Sequence, residues 1–258
     1  MSDFALQAAA SLLGRAQRIL VVTGAGISAE SGLPTYRGTG GLYEGRRTAE
    51  GLRIEEALSA QMMARRPELT WKYLAEIEAN CRGAQPNAAH RVLVALEAEK
   101  TRLCVLTQNV DGLHAMAGSR GLIEIHGSLH RLRCTECSHV RSVTDYAGLG
   151  IPPECPVCGG MLRPDVVLFG EQLPMRELTQ LDDVLAQGVD LVMTIGTSSA
   201  FAYIVEPVLL AARAGVPTIE INPEQTAVST IVDVHLRMSA ARALPALWQL
   251  THGGAAPA

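Results

Sequence analysis

Gly24-Ala25-Gly26-Ile27-Ser28-Ala29-Glu30-Ser31-Gly32-Leu33-Pro34-Thr35-Tyr36-Arg37 follows directly on Arg18-Ile19-Leu20-Val21-Val22-Thr23, and this junction decides how the chain is read. The aliphatic, β-branched run predicts a buried strand. Closely spaced glycines after it predict backbone drawn up against a phosphate-bearing ligand, because only a residue without Cβ lets the chain come so near. Gly24-x-Gly26-x-x-Ala29 fits a loose dinucleotide fingerprint with Ala at the third small position. Taken alone it describes a turn equally well. A nicotinamide dehydrogenase would continue into a full helix and a second strand ending in an acid about 20 residues on. Here Gly32-Leu33-Pro34 cuts the helix short, and Glu44 and Glu50 fall in loop-like sequence. No Gly-Lys-Ser/Thr closes the segment, which excludes a kinase-type phosphate loop. The pattern predicts a loop that covers a dinucleotide instead of returning to the sheet.

Further short apolar runs alternate with helical periodicity. Helices are expected over 4–15, 88–96, 177–187, 206–214 and 240–249, with two more between 51 and 83, the second starting near Pro67-Glu68. Strands are expected at Leu103–Thr107, Leu122–Ile125, Leu191–Ile195 and Pro217–Ile221, and a further strand and loop at Val166–Glu171. This alternation predicts an α/β protein with a mostly parallel sheet covered on both faces. Polar and glycine residues gather where the strands end: Gly24, Gln108-Asn109, His126, Gly196-Thr197-Ser198 and Asn222. In such sheets the ligand crevice lies beyond the carboxyl ends of the strands.

The 258 residues are enough for one large domain carrying a smaller insert. A composition of 48% hydrophobic and 19% charged residues belongs to an ordinary globular protein. The formal net charge of −4 argues against broad binding to nucleic acid or anionic membranes. No apolar run is long enough to span a bilayer, and Met1-Ser2-Asp3-Phe4 lacks the basic start of a secretory signal, so a cytoplasmic protein is expected.

Of the six cysteines, four form Cys134-x-x-Cys137 and Cys155-x-x-Cys158, with 17 residues between the pairs. This is tetrathiolate zinc spacing, and a closed Cys₄ site has no open position, so the zinc is expected to be structural. Cys81 and Cys104 read as small core residues.

Together, Gly24-Ala25-Gly26-Ile27-Ser28, Gly32-Leu33-Pro34-Thr35-Tyr36-Arg37, Thr107-Gln108-Asn109-Val110-Asp111-Gly112-Leu113-His114 and Glu124-Ile125-His126-Gly127 resemble the sirtuins, NAD-dependent protein lysine deacylases. The four cysteines, Phe169-Gly170-Glu171, Gly196-Thr197-Ser198 and Ile221-Asn222 follow in the family's order, over roughly residues 15–248. The resemblance implies a Rossmann-like, doubly wound domain (1–37, 84–130 and 163–250) and a small domain. The small domain comprises a cofactor loop with a helical module (38–83) and a zinc module (131–162), and 251–258 is expected as a flexible tail. It also implies that NAD is consumed, giving free lysine, nicotinamide and 2′-O-acyl-ADP-ribose.

By the same resemblance, His126 is the general base for a ribose hydroxyl, a role that suits the near-neutral pKa of imidazole. Asn109 and Asp111 hold the nicotinamide carboxamide and ribose, and Gln108 the ribose hydroxyls. Gly24, Ala25, Gly26, Ser28, Glu30, Gly196, Thr197, Ser198, Asn222, Glu224 and Met238 are expected around the rest of the cofactor. Met238 stands where a glycine is common. Tyr36 is expected to shield the cationic ribose, and Arg37 to contact phosphate or order the loop. Val166, Val167, Phe169, Gly170 and Glu171 are expected to bind the acyl-lysine peptide as an added strand. The other histidines read as surface or loop residues, His114 with a loop-stabilising part in its motif.

One departure bears on the acyl group. Thr35 occurs among relatives that remove succinyl, but those also carry a Tyr-x-x-Arg pair on the helix after the mobile loop. The candidate here is Tyr73-Leu74-Ala75-Glu76, whose carboxylate would repel an acidic acyl group; one residue along, Leu74 and Ile77 make an apolar pocket. Acetyl or apolar acyl groups are therefore expected over succinyl. Two other readings are weighed: protein ADP-ribosylation on the same fold, and a zinc-ribbon adaptor that merely retains a nucleotide fold. The net charge and the absence of basic–aromatic interleaving count against the adaptor.

Overall fold

The computed structural model describes residues 3–35 and 47–257. Their order is α1 (Asp3–Arg15), β1 (Arg18–Thr23), 3-10 turns at Ala25–Ile27 and Ala29–Ser31, α2 (Ile54–Ala57), α3 (Ala60–Arg65), α4 (Pro67–Cys81), α5 (Ala88–Glu99) and β2 (Arg102–Thr107). Then come α6 (Leu113–Ala117), β3 (Leu122–Glu124), β4 (Gly127–Cys134), β5 (Val140–Ser142), β6 (Leu162–Val166) and α7 (Met175–Ala186). The chain closes with β7 (Leu191–Ile195), α8 (Ala202–Arg213), β8 (Thr218–Ile221), β9 (Val234–Leu236) and α9 (Ala240–His252).

The aliphatic run of β1 lies at the centre of a parallel sheet of order β3-β2-β1-β7-β8-β9, with Val21 level with Val105 on one side and Met193 on the other. Successive side chains of a strand point to opposite faces. Ile19 and Val21 enter the core beneath α1, α5 and α9, while Leu20 and Val22 enter the one beneath α7 and α8. Two covered faces are what an unbroken apolar run requires. Truncating Leu20, fully buried, to Ala would cost about 2–5 kcal/mol. The strand order reverses between β1 and β7, so the crevice for a ligand opens where Gly24 and Gly196 follow those strands.

A second, antiparallel sheet has the order β5-β4-β6 and shares its core with α4. Trp71, fully buried, donates from its indole nitrogen to Leu162 O at 3.1 Å and meets the Tyr146 ring edge-on at 5.4 Å. Tyr146 donates in turn to Leu129 O at 2.7 Å. Each polar handle on these aromatics thus has a partner, as burial demands. The two sheets meet at His126-Gly127. Gly127 has φ +80°, and a Cβ there would lie 1.9 Å from Asp165 O on β6. Only glycine permits this crossing.

Several sequence expectations are corrected. The strand placed at Val166–Glu171 lies earlier, at Leu162–Val166, and runs antiparallel to β4. Residues 168–171 instead form a turn closed by Glu171 N–H to Leu168 O at 3.0 Å. The last helix continues to His252, past the residue where the tail was placed. Thr251 Oγ1 bonds Leu247 O, His252 stacks on Trp248, and its Nε2 reaches Glu99 at 2.7 Å. The stretch 51–83 holds three helices, not two, and β4, β5 and β9 were not foreseen. Among the described residues no helix is long and apolar enough to cross a membrane.

Candidate active site

The glycines around the switch point act as a pair of interlocked turns. Gly24 N–H donates to Ile195 O at 3.2 Å, and Gly26 N–H to Gly196 O at 2.8 Å. A Cβ on Gly26 would sit 2.7 Å from Gly196 Cα, and one on Gly196 only 2.4 Å from Ile27 N. Ala25–Ile27 and Ala29–Ser31 form two short 3-10 turns that stop at Gly32, φ +87°, in agreement with the early break read at Gly32-Leu33-Pro34.

Behind this cradle lies a nearly buried polar cluster. Asn109 and Asp111 are 4% and 8% exposed. Asn109 Nδ2 donates to Gly24 O and to Ser28 Oγ, each at 3.2 Å. Ser28 Oγ donates to Asp111 Oδ2 at 2.7 Å, and the other carboxylate oxygen accepts from Leu113 N at 2.9 Å. Burial raises the pKa of Asp111, against the pull of those two donors and of His130. Ala25, Ser28, Leu33, Asn109 and Asp111 line one cleft with Ile77 and Cys81 of α4. Cys81, half-buried, packs against the core shared with the small sheet and also lines this cleft, and Cys104 is buried as expected.

Gln108 bridges the two halves of the sheet: its amide donates to Thr23 O at 3.2 Å and to Thr197 Oγ1 at 2.8 Å. Asn222 Nδ2 donates to Thr197 O at 2.9 Å, so Gln108, Thr197 and Asn222 form one chain along the strand ends. Ser198 follows Thr197 at the same strand end. His126 stands beside them, its Nδ1 3.0 Å from Gln108 O and its Nε2 2.6 Å from the hydroxyl of Tyr203.

Some expected site residues are engaged elsewhere. Both Glu30 oxygens serve the start of α9, accepting from Ser239 Oγ at 2.7 Å and Ala241 N at 2.9 Å, a favourable place for a carboxylate. Met238 packs against the core beneath α9, and Glu224 lies exposed with its N–H on Asn222 Oδ1 at 3.1 Å. Glu171 accepts from Arg163, itself 4% exposed, at 2.6 Å, and from Leu168 N at 2.9 Å. Phe169 pairs its backbone with the link between α2 and α3, through Leu58 O and Ala60 N, both at 3.0 Å. Val166 ends β6, Val167 N donates to His126 O at 2.9 Å, and Gly170 has φ +84°. Tyr73 and Leu74 are buried in the core shared with the small sheet, and Ile77 alone of the three lines the cleft. Tyr36 and Arg37 lie outside the described residues.

Sequence reasoning missed Tyr203 and Phe201, and took His90 and His114 for surface or loop residues. The two histidines are buried, with rings 4.8 Å apart, and His114 Nε2 is 3.0 Å from Thr23 Oγ1. Burial lowers their pKa values to about 4 and about 3. Phe201-Ala202-Tyr203, an aromatic pair just after a polar strand end, was a signal available in the sequence.

The four cysteines come together at the far end of the small sheet, their Sγ atoms all within 4.8 Å of one another. Cys134 and Cys158 are 3.5 Å apart, Cys137 and Cys155 3.7 Å. Disulfide bonding would need about 2.05 Å. Four thiolates bound at about 2.3 Å around one ion would stand about 3.8 Å apart, which these separations match. Glu136 N–H and Gly160 N–H point at Cys134 and Cys158 sulfur, at 3.3 and 3.4 Å, and so offset thiolate charge. The set fits one structural zinc.

The sequence profile of the Sir2 family matches residues 24–202. A curated relative from Pseudomonas syringae pv. tomato, named NAD-dependent protein deacylase 2, is 51% identical over 242 residues, which are 93% of this chain and 97% of that protein. A solved Sir2 homologue in complex with NAD superposes with a TM-score of 0.86 at 36% identity, covering 96% of this chain and 94% of its own. A Sir2 complex with deacetylated p53 peptide and 3′-O-acetyl ADP-ribose gives 0.84 at 27%, covering 95% and 97%. On its sequence, its strand order and the residues at its strand ends, this chain belongs to the Sir2 family.

Proposed function

We propose that the protein removes acyl groups from lysine side chains and consumes NAD in doing so. The observation that carries this reading is the convergence, at one switch point, of the Gly24–Gly196 cradle, the Ser28–Asn109–Asp111 cluster and His126. The cradle has no room for side chains where a pyrophosphate would approach backbone N–H groups. Asn109 and Asp111 offer an amide and a carboxyl to the nicotinamide carboxamide and ribose. The nicotinamide–ribose bond breaks, the acyl oxygen of the lysine amide bonds C1′, and His126 takes the proton from a ribose hydroxyl that attacks the acyl carbon. The freed amine leaves as lysine, and one water adds to the acyl carbon then bridging the two ribose oxygens, which leaves the acyl group as an ester on ADP-ribose. The zinc supplies no chemistry; Cys134, Cys137, Cys155 and Cys158 would hold it to fix the small sheet.

The peptide docks beside Val166–Gly170, the segment that leaves β6 next to His126, with Phe169 already paired on one edge to Leu58 and Ala60. For the acyl group, Glu50 supports an apolar preference. Its carboxylate accepts from Tyr73 and from Lys72 Nζ, 2.7 Å away, and these two contacts lower its pKa to about 2. Tyr73 and Lys72 are thus both engaged by Glu50, so neither is left to hold an acyl carboxylate, and Ile77 offers the cleft an apolar side chain. An acetyl-lysine peptide incubated with NAD and followed by mass spectrometry should lose acetyl, and His126→Ala should stop that loss. ADP-ribose gained on protein with acetyl retained would instead favour transfer.

A further inference from the structure

His126 is held at both ring nitrogens. The partner of Nδ1 is Gln108 O, at 3.0 Å. A backbone carbonyl only accepts, so Nδ1 carries the hydrogen and Nε2 is left as the lone-pair atom, the one able to take a proton. That working atom is 2.6 Å from the hydroxyl of Tyr203, which donates to it. Tyr203 stands in the first turn of α8, the helix that follows β7 and Gly196-Thr197-Ser198, whereas His126 follows β3, an edge strand on the other side of β1. The bond therefore ties a residue of one half of the doubly wound sheet to a helix of the other half.

The phenol is itself well placed by its neighbours. Its ring stacks on Phe201, with centroids 5.4 Å apart and planes 15° off parallel. Both rings meet the imidazole edge-on, at 6.0 and 6.1 Å with interplanar angles of 80° and 86°. With two aromatic rings against it and a fixed partner at each nitrogen, the imidazole has one rotamer and one tautomer. A general base needs both, since a proton can be taken only by a lone pair already aimed at it.

We infer that Tyr203 relays the ribose proton to His126: its hydroxyl accepts from the ribose hydroxyl as it gives its own proton to the Nε2 lone pair it already meets at 2.6 Å, so the phenol ends the step as it began. The inference rests on the deacylase reading, which gives His126 that work. It predicts a split between the two halves of the reaction. Breaking the nicotinamide–ribose bond needs no base at the ribose hydroxyl, so exchange of labelled nicotinamide into NAD, in the presence of acetyl-lysine peptide, is independent of Tyr203. Acyl transfer to the ribose needs the base and depends on it.

The test is Tyr203→Phe, which removes one oxygen and keeps the stacked ring. Deacetylation kcat should fall about tenfold or more, a fraction of what a general base contributes, while KM for NAD and the nicotinamide exchange rate stay within about twofold of the parent. Equal deacetylation in parent and Tyr203→Phe overturns the inference, as does faster deacetylation, which would make the phenol a cap that blocks the base. A parallel fall in exchange and deacetylation also overturns it, because a disturbed fold or a lost cofactor contact would lower both. His126→Ala separates this from the underlying reading. If the parent shows no NAD-dependent deacetylation, or His126→Ala retains it, the deacylase reading or its base assignment fails whatever Tyr203→Phe does. If His126→Ala is inactive and Tyr203→Phe is not impaired, only the role of Tyr203 fails.

Discussion

The two ends of this molecule are specified by opposite means. At the switch point of the parallel sheet the backbone turns after β1 and β7 are in contact, and a Cβ on Gly26 or Gly196 would overlap backbone at 2.7 and 2.4 Å. In the zinc-bearing connection between β5 and β6, Gly148, Gly150 and Gly159 face open space, with nothing within 4 Å of a Cβ. What holds that end is four converging sulfurs and one side of α4. The turns at the cofactor end therefore leave no room for a Cβ at Gly24, Gly26 or Gly196. The zinc end has room at Gly148, Gly150 and Gly159, though not at Gly160, where a Cβ would lie 2.5 Å from Glu136 Cγ, and depends on its four ligands instead.

The sharpest way to break this contrast is a pair of identical substitutions. Gly196→Ala must move backbone on both turns at a φ of +60°, and should cost about 3 kcal/mol or more of stability, with NAD-dependent turnover lost. Gly159→Ala at φ +77° pays only for its left-handed backbone, about 1–2 kcal/mol, and should keep its turnover. Denaturant unfolding and a deacetylation assay on both variants decide it; similar losses at the two sites would remove the distinction. The converse test is ligand loss. Cys158→Ser, or chelation of the parent, should release zinc to a colorimetric indicator and lower the melting temperature by about 10 °C or more, as loss of a few kcal/mol does in a chain of this size. A metal-free variant of parental stability and activity would refute the structural zinc.

The same contrast governs what could be read from sequence. The cysteine pairs and the Gly24–Gly32 punctuation are local patterns, so their geometry follows from spacing alone. Buried central strands such as β1 are equally plain, because both faces are apolar. The edge strand β9 and the strands of the small sheet mix polar residues such as Arg131, Arg133 and His235 among apolar ones, and give no such signal. Pairings across long separations were not legible either. Glu30 caps a helix 209 residues away at Ser239, and Tyr203 reaches His126 across 77 residues. His90 and His114 were misread because polar residue types default to the surface. Only the β1–β2 register, which sets Thr23 against Thr107, shows His114 to lie beside a buried hydroxyl pair.

Those histidines make the cofactor end the acid-sensitive one. Both have folded-state pKa values depressed by burial below the ordinary 6.5, to about 4 and about 3. Below pH 6.5 the unfolded chain binds protons that the folded chain refuses. Stability is thus full above that value and is lost as pH falls towards 4. Each histidine should remove roughly 2 kcal/mol between pH 6.5 and 5. His90→Gln keeps an acceptor for Asn87 N–H, which now meets His90 Nδ1 at 3.3 Å, and cannot be protonated. Chemical denaturation across that range should show a slope roughly halved in the variant; an unchanged slope would place the titrating groups elsewhere.

The smallest expected effect lies on α4, where the two ends meet. Ile77 faces the cleft with Asn109 and Asp111, one turn from Tyr73, whose hydroxyl bonds Glu50. If this carboxylate disfavours acidic acyl groups, kcat/KM should be at least about tenfold higher on acetyl-lysine than on succinyl-lysine peptide, and Glu50→Gln should narrow the ratio by only about threefold, since exposed charges are screened. The limited size of that change is itself diagnostic. Removing the negative charge lifts repulsion but creates no cation to hold a succinyl carboxylate. A large gain in succinyl activity from Glu50→Gln would therefore mean that Lys72, released from Glu50, supplies that cation, and the apolar pocket would be a consequence of one ion pair and not of Leu74 and Ile77.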